Sequence, residues 1–162
     1  MLDKDVGLNN EVFKKLNEDH NKLYRFVLDY HDYIYSSRDY GTGDILSMME
    51  AHVLTDIVDS PGTTVTELAK IWDRTASAIS QTVRKLMKKG YVYRENSTQD
   101  AKVFFLYPTD AAKSFAEAHK KFDTRNILRS MKMLKEDFSE EELEIFFSII
   151  DKYSDILKQG TK

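Results

Sequence analysis

The sequence predicts a mainly α-helical fold with a small β wing, in which a central block of short elements is flanked by long helices at both ends. Three observations carry this. Between Thr64 and Thr109 the chain spells a short amphipathic helix, a turn, a second helix with one polar face, and a hairpin rich in aromatic and β-branched residues. On either side of that block, apolar residues recur at helical spacing. Two Ser/Thr-x-x-Glu pairs, Thr64 with Glu67 and Ser139 with Glu142, mark helix starts, because hydroxyl and carboxylate satisfy unpaired amides of the first turn.

The elements follow in order. Val12, Phe13, Leu16, Leu23, Phe26, Val27, Tyr30 and Ile34 make one stripe of a long first helix, after which Ser36 to Gly43 reads as a loop with two glycines. A second helix is expected from Asp44 to about Asp59, closed by Ser60-Pro61-Gly62. From the Thr64 cap, Val65, Leu68, Ala69 and Trp72 face one way, so the third helix ends near Trp72 and Asp73-Arg74 form a turn. Thr75 caps a fourth helix with apolar positions Ala76, Ile79, Val83, Leu86 and Met87, and Gly90 ends it because glycine tolerates positive φ.

A rotation of about 100° per residue places Ser77, Gln81, Arg84, Lys85 and Lys88 opposite the Ile79–Val83 face. That face has no acid, and its hydroxyl, amide and cations suit a major groove, where Gln and Ser bond to base edges while Lys and Arg hold phosphates. Tyr91 to Glu95 and Lys102 to Tyr107 are strand-like, with turn chemistry in Asn96 to Asp100 between them. Arg94 and Lys102 flank the hairpin tip and bring positive charge toward a neighbouring minor groove. Helix, turn, helix and basic hairpin together make a winged helix-turn-helix.

Thr109 opens a further helix that continues to about Lys135, with a bend expected at Asp123-Thr124, and Ser139 opens a last one to about Leu157. This last helix carries two apolar stripes, one of Leu143, Phe146, Ile150, Tyr153 and Leu157 and one of Ile145, Ile149 and Ile156. Two stripes need two partners. The first helix supplies one, and a second copy of the chain supplies the other.

The runs Thr66-Glu67-Leu68-Ala69, Thr75 to Val83 and Leu86 to Arg94, preceded by Leu46 to Leu54, resemble the MarR (multiple antibiotic resistance regulator) family in order and spacing. The wing departs from that family's Asp-Arg-Arg, with Asp100-Ala101-Lys102 in its place, and the segment after the wing is Pro108-Thr109-Asp110-Ala111-Ala112 without the usual glycine. Lys102 lacks the planar fork of arginine. The resemblance implies a homodimer held by N- and C-terminal helices, with residues 1–43 for dimerisation, 44–108 for DNA binding and 109–162 for dimerisation. It implies a transcriptional regulator, a repressor by expectation, bound to a pseudo-palindromic double-stranded operator. Ser77, Ala78, Gln81, Thr82 and Lys85 then face the major groove, Thr75, Arg84 and Lys88 lie nearer the phosphates, and Arg94, Asp100 and Lys102 build the wing, Asp100 by ordering it. It further implies that a small aromatic or anionic effector binds between the dimer helices and the reading domain, where Tyr24, Tyr30, Tyr33, Trp72 and Met48 can line a cavity and Arg25 or Arg38 can meet the anion.

Charge agrees once divided by region. Of 24 basic and 27 acidic residues in the 162-residue chain, eight basic and four acidic ones fall between residues 65 and 102, which makes that block +4 and the remainder −7. One positive face with acidic flanks is what phosphate contact and correct orientation require. With no cysteine, disulfides and thiol-based sensing are excluded. No apolar run approaches the roughly 18 residues of a membrane span, and the polar start is unlike a signal peptide, so a soluble cytoplasmic protein is expected.

The sequence holds no nucleophile motif, and Gly41-Thr42-Gly43 lacks the lysine of a phosphate loop, so neither an enzyme nor a cofactor is expected. His52 and Asp56 lie four apart on one helix face and Asp29-Tyr30-His31-Asp32 clusters acids around a histidine, while His20 and His119 are isolated in sequence. No metal is expected at these residues. They define the alternative of a metal-responsive regulator of the same fold, beside that of a protein-interaction module without DNA.

Overall fold

A computed structural model describes residues 10–96 and 103–160. The first helix, α1 (Asn10–Tyr35), takes the span its apolar stripe predicts, and Phe13, Leu16, Leu23, Phe26 and Val27 on it are exposed. The next segment departs from the expected loop. β1 (Ser37–Asp39) and β2 (Ile45–Ser47) pair antiparallel with Arg38 opposite Leu46. The Asp39 carboxylate accepts the amides of Gly41, Thr42 and Gly43 at 2.7, 2.9 and 3.1 Å, which closes the turn between them.

The second helix, α2 (Met48–Asp59), therefore starts at Met48 and not at Asp44. Its start is set by a capping box: the Ser47 hydroxyl accepts the Glu50 amide at 3.2 Å and the Glu50 carboxylate accepts the Ser47 amide at 3.0 Å. The same device opens α3 (Val65–Ile71), where Thr64 and Glu67 exchange bonds of 3.2 and 2.7 Å as expected. Thr75 caps α4 (Ala76–Lys88), accepting the Ala78 amide at 3.2 Å. Gly90, at φ +78°, then turns the chain into the wing.

The wing pairs β3 (Val92–Asn96) with β4 (Phe104–Pro108) antiparallel, Arg94 opposite Leu106. Thr63 bridges to Leu106 on the other side, so the strap before α3 is tied to the same sheet. Thr109 accepts the Ala112 amide at 3.3 Å and opens α5 (Asp110–Leu134), which runs through Asp123-Thr124 without interruption because neither residue breaks the backbone ladder. The last helix, α6 (Glu140–Gly160), starts at the second expected capping box, Glu142 accepting from the Ser139 amide at 2.8 Å.

Two compact units result, one ending at His119 and one beginning at Lys120. In the first, Leu46, Val53, Leu54, Ile57, Leu68, Ile79, Val83, Leu86, Leu106 and Phe115 form the buried core, each at most 4% exposed. Full burial of such side chains stabilises by about 1.5–3 kcal/mol each before entropy is counted. In the second unit Leu143 is buried, whereas Ile145, Phe146, Phe147, Ile149, Ile150, Ile156 and Leu157 of α6 are exposed. No described helix is long and apolar enough to cross a membrane.

Candidate nucleic-acid interface

The joint between α3 and α4 fixes how α4 is presented. The Trp72 and Arg74 amides donate to the Leu68 and Ala69 carbonyls, both at 3.0 Å, and Asp73 takes a left-handed φ of +47° that an aspartate tolerates. With Ile79, Val83 and Leu86 buried, α4 turns Ser77, Gln81, Arg84 and Lys88 outward as the sequence predicts. Ala78 is exposed at the edge of that face, and Thr82 is half-buried with its hydroxyl donating to the Ala78 carbonyl at 3.4 Å. The Arg84 side chain lies back along its own helix, its Nε donating to the Ser80 carbonyl at 3.2 Å. Its charge therefore sits beside the helix face and not at full reach.

Lys85 occupies the flank of α4, with Nζ 3.2 Å from Glu50 Oε1. Burial of Glu50 opposes its ionisation, but the Ser47 amide and the Lys85 ammonium outweigh that, and its carboxyl titrates below the ordinary glutamate range. Lys89 donates to the Ile45 carbonyl at 3.1 Å. Tyr91 donates to Asp44, and burial together with that carboxylate pushes its phenol well above the usual range. These bonds tie the C-terminal end of α4 to the β2–α2 corner.

On the wing, the Arg94 guanidinium lies 4.4 Å from the Phe104 ring centre, a cation–π contact. Asp100 and Lys102 lie outside the described residues.

Between α1, α2 and the α3–α4 turn, a cavity of about 210 Å³ is lined by Tyr30, Ile34, Met48, Met49, His52, Trp72 and Arg74. Of the seven residues that the sequence offered for such a cavity, Tyr30, Met48 and Trp72 are in its wall. Tyr24, Arg25, Tyr33 and Arg38 are absent from the lining: Tyr24 is 65% exposed, and Arg38 is folded onto the Tyr33 ring at 4.3 Å while donating to the Tyr33 carbonyl at 2.7 Å. The cation in the cavity is Arg74, in the helix-turn-helix turn, which spacing alone gave no reason to single out.

The histidines rearrange the metal expectation. Asp56, the expected partner of His52, accepts the Trp72 indole N–H at 2.7 Å, while the His52 ring sits edge-to-face with His119 at 4.7 Å. His31 and Asp32 pair at 3.3 Å on the exposed side of α1. His119 is 2% exposed, and its Nδ1 lies 2.9 Å from the Thr55 hydroxyl, which is also 2.9 Å from the Ala51 carbonyl. With the hydroxyl proton on that carbonyl, Nδ1 carries hydrogen and Nε2 the lone pair. Sixty-seven residues separate His52 from His119, too far for any local signal to join them.

Residues 46–104 match the model of the MarR family. The HTH-type transcriptional regulator YcgE of Bacillus subtilis is 32% identical over 105 residues, covering 64% of this chain and 66% of that relative, just short of two thirds of its length. Among solved structures, Streptococcus pneumoniae FabT in complex with DNA superposes with a TM-score of 0.60 at 22% identity, over 91% of this chain and 98% of FabT. Zinc-responsive ZitR of Lactococcus lactis superposes with a TM-score of 0.64 at 16% identity, over 91% and 99% of the two chains. Likeness at these identities bears on the fold.

Proposed function

Since this chain belongs to the MarR family, whose members are transcriptional regulators and not enzymes, we propose that it binds an operator as a homodimer and represses transcription from it. The observation that carries this is the outward face of α4, where Ser77, Gln81 and Lys88 stand exposed on a helix without a single acidic residue. Ser77, Ala78, Gln81 and Thr82 read base edges, whereas Lys85, expected among them, has its ammonium 3.2 Å from Glu50 at the edge of that face; Thr75, Arg84 and Lys88 hold phosphates, and Arg94 leads the wing toward the minor groove. The exposed apolar faces of α1 and α6 supply the dimer contact, and two-fold symmetry then sets half-sites about 10 base pairs apart.

The test is selection of genomic fragments by the purified protein at near-physiological salt, followed by sequencing. An imperfect palindrome is expected; retention without enrichment would leave charge-driven binding alone and overturn the operator reading. The cavity beside Arg74 supports release by a small aromatic anion, since at about 210 Å³ it is smaller than the 300 Å³ or more typical of drug-sized ligands. Such a ligand weakens DNA binding only by preferring a helix spacing that misses the operator.

The histidine pair favours a second reading, a metal-responsive regulator. A ring nitrogen of His52 and one of His119 lie within 4.8 Å. Imidazoles suit zinc. Operator binding that changes with zinc and chelator, and stops responding in His52→Ala, supports it. Indifference to both metal and chelator returns the site to a structural role.

A further inference from the structure

Lys85 is the one cation of α4 that the structure ties to an acid on another helix among the described residues. Its partner is held, and that sets the pair apart from ordinary surface pairs, in which both side chains must be ordered and little stability results. Glu50 is the third residue of α2, its side chain 12% exposed, with one carboxylate oxygen taken by the Ser47 amide at 3.0 Å and the other facing the Lys85 ammonium at 3.2 Å. The carboxylate is thus in place before Lys85 reaches it, and pairing costs only the freedom of one lysine chain.

Lys85 itself is 68% exposed. On the helical wheel it lies about 50° from the Gln81–Lys88 line, so a small rotation of its chain carries the ammonium from the α2 corner to the phosphate-facing side.

We propose that Glu50 withholds Lys85 from the DNA backbone and so limits sequence-independent affinity. This rests on the DNA-binding reading above. A regulator that must find one operator among a genome of competing sites gains from weak nonspecific binding, and an acid anchored beside the reading helix supplies that without altering the side chains that read bases. Each phosphate contact adds about 0.9 to the slope of log affinity against log salt. Freeing Lys85 should therefore add about 0.9, equivalent to an extra loss of about 3.5-fold between 50 and 200 mM salt.

Glu50→Gln is the informative change, because glutamine at this helix position keeps the capping box while removing the charge. Binding to a random-sequence duplex is measured from 50 to 200 mM salt for the unaltered protein, Glu50→Gln, Lys85→Ala and the double variant. Glu50→Gln should bind several-fold more tightly at 50 mM salt with a slope steeper by about 0.9, Lys85→Ala should leave the slope nearly unchanged, and the double variant should show no gain. A gain that persists without Lys85 would mean that Glu50 acts by plain repulsion of DNA. Weaker binding by Glu50→Gln would mean that the acid aims Lys85 at phosphate. Either overturns the proposal while leaving DNA binding intact, whereas failure of the unaltered protein to bind any duplex at 50 mM salt removes the DNA reading and this inference with it.

Discussion

Gln81 and Lys88 stand on the same exposed face of α4, yet their chemistry assigns them different work. An amide can pair bidentately with one base and with no other equally well, whereas an ammonium meets any phosphate. Gln81→Ala should therefore cost about 1–3 kcal/mol at one operator position and relax preference there, while Lys88→Ala should weaken binding to all sequences and lower the salt slope by about 0.9. Operator variants titrated at several salt concentrations separate the two. Equal, sequence-independent losses would take Gln81 out of the reading role. Both residues were legible in the sequence because burial of Ile79 and Val83 fixes which face of a short helix looks outward. Arg84 was legible in place but not in posture, since its bond to the Ser80 carbonyl depends on rotamer and not on spacing. Nothing local announced the ion pair of Lys85 with Glu50, because it joins residues 35 apart through tertiary packing.

Three helices open with the same hydroxyl–carboxylate exchange, at Ser47/Glu50, Thr64/Glu67 and Ser139/Glu142. The second and third are evident in the sequence and place their helix starts to the residue. The first is present in the sequence too, but Asp44 lies three residues earlier as a competing cap, and only pairing of Ile45 to Ser47 with β1 decides against it. Strands of three residues are too short for an alternating pattern to show. The boxes also make acid sensitivity calculable in sign. Glu67 and Glu142 are held below the usual carboxyl range chiefly by the Thr64 and Ser139 amides. Glu50 is held there too, its burial opposing ionisation but outweighed by the Ser47 amide and Lys85. A depressed carboxyl contributes stability above its unfolded value, about 4.5 here, and loses it as pH falls through the lower folded value. Unfolding midpoints should therefore hold between about pH 7 and 5 and drop below about 4.5. Glu67→Gln and Glu142→Gln, which keep the reciprocal bond without titrating, should flatten that drop, and Thr64→Ala should cost about 0.5–2 kcal/mol at neutral pH. An acid profile identical in the glutamine variants would place the sensitivity elsewhere.

For the whole molecule, the division of charge and the uncovered apolar faces bear on the same question of how one small reader achieves specificity. A net of −3 alone argues against DNA binding, but +4 concentrated between residues 65 and 102 leaves repulsion everywhere else, which disfavours nonproductive encounters. The cavity and the histidine pair belong to this scale as well, since α1, α2 and the α3–α4 turn must be in place before Tyr30, Met48, His52 and Arg74 meet, and the start of α5 before His119 reaches His52, and periodicity within any one helix contains neither meeting. The two apolar stripes of α6 were legible from their spacing, but Phe146, Ile150 and Leu157 of the stripe expected to pack within the chain are exposed, as is the other stripe. Ile145, Ile149 and Ile156 recur at helical spacing and are 57%, 58% and 52% exposed, more apolar surface than a solvated helix keeps. If this face holds two copies together, Ile149→Glu places a charge in the contact and the chain should sediment as a monomer with an unchanged thermal midpoint of the reading domain. Operator affinity should then fall about 100-fold or more, because each half-site is bound without the effective concentration that the second reader contributes. A half-site duplex should be bound as before, since α4 is untouched. A dimer that survives Ile149→Glu would assign the isoleucine stripe to a partner other than a second copy, and the half-site spacing would then have to be set by the face of α1 alone.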